Sequence, residues 1–286
     1  MRINSELPNC MLPKNNELNE YDFVLFHLYI TNDVYKKYYL NQRLEHPDRL
    51  MILDNSAYEF YIKGEELNLE EFYKVIIELK PDLYILPDTL MDKDKTIRNT
   101  IDFMNTYGAS IKQQVGSNPL AVAQGKTFED ISGCLDIYKD LGIINIAIPF
   151  HNSCFKEHDI NESYISLIVD VFRKWHNTKH INDDMMYAIG RIRFISKFHN
   201  KLKEFKHVHL LGSHDPLEKF VYKLLFLSQY ISTMDTGYPV KCALSGWELG
   251  KELSKPNVII DEFLDKDISH LMQCLIEKNI NIFKGF

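Results

Sequence analysis

The sequence predicts an α/β protein of the (β/α)8 barrel class, and three observations carry that expectation. Short apolar runs alternate with segments of helical period along the chain, the mark of a parallel sheet with right-handed crossovers. About eight such runs fit within 286 residues, which suits a closed eight-stranded barrel better than an open doubly wound sheet. Three of the runs end on an aspartate, at Asp54, Asp88 and Asp235. Such strands deliver carboxylates to one rim, and that C-terminal rim is where barrel enzymes keep their chemistry.

In chain order, strands are expected at 23–30, 50–53, 83–86, 120–123, 144–148, 208–211, 231–234 and 258–260. These are apolar, β-branched or aromatic runs bounded by turn residues. Between them, 69–79 places Phe72, Val75, Ile76 and Leu79 on one helical face. The segments 92–104, 128–141, 162–175, 216–230 and 268–278 show the same period. Thr127, followed by Phe128-Glu129-Asp130, supplies the polar cap and early acids of a helix start. The stretch 151–206 is long for one crossover and is expected to hold two helices, 162–175 and 184–199, as a helical insertion. No low-complexity linker interrupts the chain, so a single domain over 1–286 is expected.

Composition excludes several classes. At 45% hydrophobic and 26% charged residues, the chain has the make-up of a soluble globular protein. No apolar stretch is long enough to span a bilayer, and the amino-terminal residues lack the apolar core of a secretion signal. A cytoplasmic protein with no membrane partner is the expectation. Cys10, Cys134, Cys154, Cys242 and Cys274 are widely spaced and odd in number, which argues for reduced thiols. Neither His207 with His209 nor His176 with His180 brings a third ligand by spacing, so no metal and no cofactor are expected. No Gly-rich phosphate loop or dinucleotide fingerprint follows a strand.

The net charge of −7 counts against a generally basic nucleic-acid surface, because phosphate neutralisation supplies most non-specific affinity. Basic residues do concentrate at Arg173, Lys174, Lys179, Arg191, Arg193, Lys197, Lys201, Lys203 and Lys206. Solvated helix surface explains that concentration as well as a phosphate track does.

At the rim, Asp54 and Asp235 offer two carboxylates, enough for a nucleophile and a general acid/base. Such pairs cleave bonds at an anomeric carbon, where an anion stabilises the oxocarbenium-like transition state. Asp88 and Gln124 add an acceptor-only group beside a donor-plus-acceptor group, a combination that can read a purine edge. Tyr58, four residues after Asp54, is placed to stack on a planar base. Leu211, beside Gly212, would cover its other face.

Four segments carry a family resemblance. Asp54-Asn55-Ser56-Ala57-Tyr58-Glu59 resembles the Asp-Ser-Gly-Gly-Tyr/Phe-Gln segment of tRNA-guanine transglycosylases. Ala121-Val122-Ala123-Gln124-Gly125 resembles that family's Val-Gln-Gly stretch, and Leu210-Leu211-Gly212-Ser213 its Leu-Met-Gly-Val. Met234-Asp235-Thr236 is similar to the late segment carrying the nucleophilic aspartate. They occur in the family's order between Asp54 and Asp235.

The resemblance implies base exchange through a covalent glycosyl-enzyme. Asp235 would attack C1′ of a guanosine, and Asp54 would serve as general acid/base. Asp88, Gln124, Tyr58, Leu211 and Gly212 would hold the base. Guanine would leave and a free 7-deazaguanine such as preQ0 or preQ1 would enter. The Cys-x-Cys-x-x-Cys and distant His of the tRNA enzymes' zinc subdomain are missing here. Their Gly-Gly pair corresponds to Pro149-Phe150, and their basic motif is reduced to Lys241.

A short, zinc-free chain resembles the phage and bacterial branch that acts on DNA, with the host cytoplasm as the place of action if phage-encoded. DNA is therefore the expected partner. Arg191, Arg193 and Lys197 would form its backbone track, and Lys241 would lie nearer the sugar. The alternatives are the same exchange on tRNA, a non-catalytic accessory or nucleic-acid-binding subunit, and a nucleoside or glycoside hydrolase. Oligomeric state is not readable from the sequence.

Overall fold

Eight short strands carry the architecture: β1 (Arg2–Ser5), β2 (Asp22–Leu25), β3 (Met51–Asp54), β4 (Leu83–Ile85), β5 (Asn118–Val122), β6 (Asn145–Pro149), β7 (His207–Leu211) and β8 (Thr233–Thr236). In the computed structural model, which describes residues 1–156, 163–250, 256 and 258–286, the strands are parallel. Their order is β1-β8-β7-β6-β5-β4-β3-β2, with helices in the crossovers: a (β/α)8 barrel.

Seven strands lie where the apolar runs place them, most with ends displaced by one or two residues. The run 23–30 stops being a strand at Leu25 and turns helical over Phe26–Thr31. Phe26, His27, Leu28 and Tyr29 are all buried, and an unbroken buried run has no period to tell strand from helix. The expected strand 258–260 is irregular chain leading into a 3-10 turn, Ile260–Phe263. The eighth strand is β1. Its polar Asn4 and Ser5 are buried, and Asn19 satisfies the Ser5 backbone, accepting from the N–H at 2.7 Å and donating to the carbonyl at 2.8 Å.

The chain divides into two compact units. One comprises residues 21–149 and 204–209, the other residues 1–20, 150–203 and 210–286. In the first, β2 to β6 pair in succession, with Leu25 opposite Asp54 and Leu53 opposite Tyr84. Its crossover helices are α1 (Asp33–Glu45), α2 (Leu69–Leu79), α3 (Lys93–Phe103) and α4 (Phe128–Asp140). Helix α2 starts where the Asn68 side chain accepts from the Glu71 N–H. It buries Phe72, Val75, Ile76 and Leu79, each worth roughly 1.5–3 kcal/mol against exposure. Phe72 packs edge-on against Phe26 with ring centres 5.1 Å apart.

In the second unit, β1 pairs with β8 from Arg2 opposite Thr233 to Ser5 opposite Thr236. Its helices are α5 (Ser163–Trp175), α6 (Asp183–Leu202), α7 (Pro216–Leu224), α8 (Tyr238–Leu244) and α9 (His270–Gly285). The two helices expected within 151–206 are thus α5 and α6. Residue 162, expected to open the first, lies outside the described residues. Gly190 lets the α6 backbone approach the chain at Phe155: a Cβ there would lie 2.0 Å from the Phe155 carbonyl oxygen. Among the described residues, no helix is long and apolar enough to cross a membrane.

Candidate active site at the strand ends

The ends of β3, β4 and β5 meet through one carboxylate. Asn55, the residue after β3, donates from Nδ2 to Asp88 Oδ1 at 2.9 Å and to the Leu86 carbonyl at 2.7 Å. Gln124, just past β5, donates from Nε2 to Asp88 Oδ2 at 2.8 Å, and its Oε1 accepts from the Met91 N–H at 3.1 Å. Asp88 and Gln124, both singled out in the sequence, are thus brought together. Asn55 completes the cluster, and only its place beside Asp54 in the resembling segment signalled it.

A carboxylate has about four lone-pair sites; Asn55, Gln124 and the residue's own backbone N–H take up three on Asp88, which leaves about one. Part of the residue stays open to solvent. Burial at the carboxyl nonetheless raises its pKa above the ordinary carboxylate range, against the lowering by the Asn55 and Gln124 donors. Gly125 follows because α4 begins close by. A Cβ there would lie 2.3 Å from Asp130 Cβ, and Asp130 closes a capping box with Thr127.

Asp54 accepts the Ser56 N–H on Oδ2 at 2.8 Å. Ser56 is left-handed, with φ 58°, at the first glycine position of the resembling segment. Its hydroxyl offsets part of that strain, accepting from the His27 N–H at 3.1 Å and lying 2.9 Å from His27 Nδ1. Tyr58 stands in the first turn of the helix Ala57–Lys63 and is 46% exposed, so its ring keeps surface for contact.

A second group lies in the other unit, at the ends of β7 and β8. Gly212, with φ +63°, donates its N–H to Asp235 Oδ1 at 2.8 Å. Leu211 and Gly212 also turn their carbonyls toward Arg191. Nη1 donates to Leu211 O at 2.8 Å and Nη2 to Gly212 O at 2.6 Å. The same guanidinium grips Glu218, from Nε and Nη2, at 2.7 Å each. Tyr222 and Ser213 hydroxyls fill the remaining acceptor sites of Glu218, at 2.8 and 2.9 Å.

This placement corrects the expectation for Arg191. The residue is 0% exposed and cannot serve as a phosphate contact. On α6 it continues the buried stripe of Ala188, Ile192 and Ile195, whereas Arg193 sits two positions on and points elsewhere. Burial alone would lower the guanidinium pKa, but the Glu218 charge and hydrogen bonds outweigh that and raise it. Arg193 is half-buried, Lys197 is exposed with its ammonium 5.2 Å from the Phe198 ring centre, and Lys241 is half-buried on α8.

At the position matching the family's Gly-Gly, Phe150 forms a ring stack instead. The Arg191 guanidinium carbon lies 4.8 Å above its centre, and the His214 ring stacks on it at 4.8 Å and 28°. The histidines spaced as pairs along the chain have other partners. His176 Nε2 meets Asp215 Oδ2 at 2.6 Å, and His180 lies beyond the end of α5. His209 is buried and stacks on Phe23 at 5.2 Å.

A scan against protein-family models and a search of curated proteins both return no match.

Proposed function

We propose that the chain is a base-exchange transglycosylase that replaces guanine in DNA with a 7-deazaguanine. The observation that carries this reading is the Asn55–Asp88–Gln124 cluster. It holds an acceptor-only carboxylate in fixed orientation at a strand end, with acceptor capacity left for an N–H of a guanine-like edge. Gln124 keeps one amide hydrogen for the base carbonyl. A site built this way rejects bases lacking those groups, because its own polar atoms would go unpaired. The ordered resemblance of four segments supports the same class.

In this reading the Asp235 carboxylate attacks C1′ while the bond from C1′ to the guanine nitrogen breaks. Asp54 delivers the proton that lets guanine leave neutral. The incoming 7-deazaguanine gives its ring proton to Asp54, its nitrogen attacks C1′, and the ester to Asp235 breaks. The Gly212 N–H, donating to Asp235 Oδ1, fixes the orientation of that carboxylate. Tyr58 stacks on the base, and Arg193, Lys197 and Lys241 contact the strand.

The test is incubation of the protein with DNA, with tRNA and with isotope-labelled preQ0, followed by nucleoside mass spectrometry. Label in DNA supports the proposal, and label in tRNA alone transfers the chemistry to RNA. Base release without incorporation makes the protein a hydrolase. Neither release nor incorporation from either nucleic acid leaves a binding subunit.

A further inference from the structure

Three metal-ligating side chains that lie far apart in the sequence converge in the unit formed by residues 1–20, 150–203 and 210–286. His151 follows β6, Asp184 lies in the first turn of α6, and His214 follows β7. One ligand atom from each falls within 4.8 Å of the other two. Asp184 is buried and the two histidines are half-buried, so the group is enclosed on the protein side and reachable from solvent.

The spacing also accommodates a cation. His214 Nδ1 and Asp184 Oδ1 stand 3.6 Å apart, within ion-pair reach when the imidazole is protonated and longer than a good hydrogen bond. Donors around a tetrahedral zinc-class ion, with bonds of about 2.0–2.2 Å, sit roughly 3.3–3.6 Å from one another. Small side-chain rotations would therefore close the 4.8 Å span onto one ion.

The rings are also held in place. His214 lies between Phe150 and Tyr238, whose ring it faces at 6.3 Å and 14°. His151 meets Tyr187 edge-on at 5.1 Å, and His214 edge-on at 4.8 Å. Packing that fixes ligand orientation before the ion arrives is what supporting residues around metal sites supply.

We propose that His151, Asp184 and His214 form a divalent transition-metal site of the zinc class. Two imidazoles and one carboxylate suit such borderline ions, and three protein ligands leave a further position for water or an anionic oxygen. This inference stands on these residues alone and does not rest on the transglycosylase reading.

The probe is Co(II), followed by its visible d–d absorption and by calorimetry on the full-length protein, with Zn(II) as competitor. One equivalent should bind, Zn(II) should displace it, and binding should weaken on acidification as protons compete for the imidazoles. His214→Gln and His151→Gln, each checked by circular dichroism and melting, should retain the fold. Each should weaken binding by more than the 10–100-fold typical of supporting residues. No saturable binding to wild type overturns the site, as does unchanged affinity in both folded variants. If either glutamine variant fails to fold, His214→Asn and Asp184→Asn replace it under the same criterion.

Discussion

Gly212 ties Asp235 to Arg191. Its N–H donates to Asp235 Oδ1 at 2.8 Å, while its carbonyl accepts from Arg191 Nη2 at 2.6 Å. One residue's backbone therefore links the proposed nucleophile to a buried ion pair with Glu218. A left-handed glycine at this point lets both ends of the residue be used.

Asp235→Asn tests the nucleophile. Asparagine keeps an oxygen for the Gly212 N–H, so melting should shift little. Exchange should fall by several orders of magnitude, because an amide cannot form the glycosyl ester. The measurement is labelled-base incorporation alongside thermal unfolding, and near-wild-type turnover would remove Asp235 from the chemistry.

Arg191→Ala tests the buried pair. Removing it leaves Glu218 charged, buried and stripped of its main partner, which should cost about 3–5 kcal/mol in a denaturant titration. An Arg191→Met, Glu218→Leu double variant should recover much of that loss, since no lone charge remains. Equal destabilisation by the single and double changes would show that packing, not charge, sets the cost.

Asp88 should give the protein an unusual pH signature. Its pKa is raised on folding, so its contribution to stability is fully present below the unfolded value of about 3.9. That contribution is lost as pH rises through the higher folded value. Base binding should run the other way and strengthen over the same rise, because the ionised carboxylate accepts from the guanine edge. Asp88→Asn should flatten both profiles. Calorimetric titration of guanine from about pH 4 to 7, with melting at each pH, is the check.

The strand-binding surface, if Arg193 and Lys197 belong to it, should reveal itself through salt. Arg193→Gln with Lys197→Gln should make the logarithmic salt dependence of duplex DNA affinity shallower, by about 0.9 for each phosphate that is no longer neutralised. Free preQ0 carries no phosphate and should bind unchanged. An identical slope in wild type and double variant would move the nucleic-acid surface elsewhere.

The strand ends are legible in the sequence because buried parallel strands read as unbroken apolar runs, and each run stops where polar chemistry starts. The runs 83–86 before Asp88 and 120–123 before Gln124 are such cases. β1 is not legible, because Asn4 and Ser5 look like surface residues until Asn19 supplies the Ser5 backbone with its partner. Local charge density misplaces Arg191, although the helical period already sets it among Ala188, Ile192 and Ile195. Its partner Glu218 lies 27 residues on, and His151, Asp184 and His214 are likewise joined only by the fold. Spacing rules look for ligands within one turn or one loop, so they pass over such a group.

The pairing of β1 with β8 has a consequence for synthesis. Thr233–Thr236 follows its neighbour Arg2–Ser5 only after roughly 10–50 s at about 5–20 residues per second. Until then the backbone donors and acceptors that face β8 have no strand to meet, and Ile3, fully buried in the finished protein, is left in water. Residues 21–149 can meanwhile assemble β2 to β6, because those strands pair in succession within one continuous stretch. The nascent chain thus passes through a stage with a formed sheet and a waiting edge.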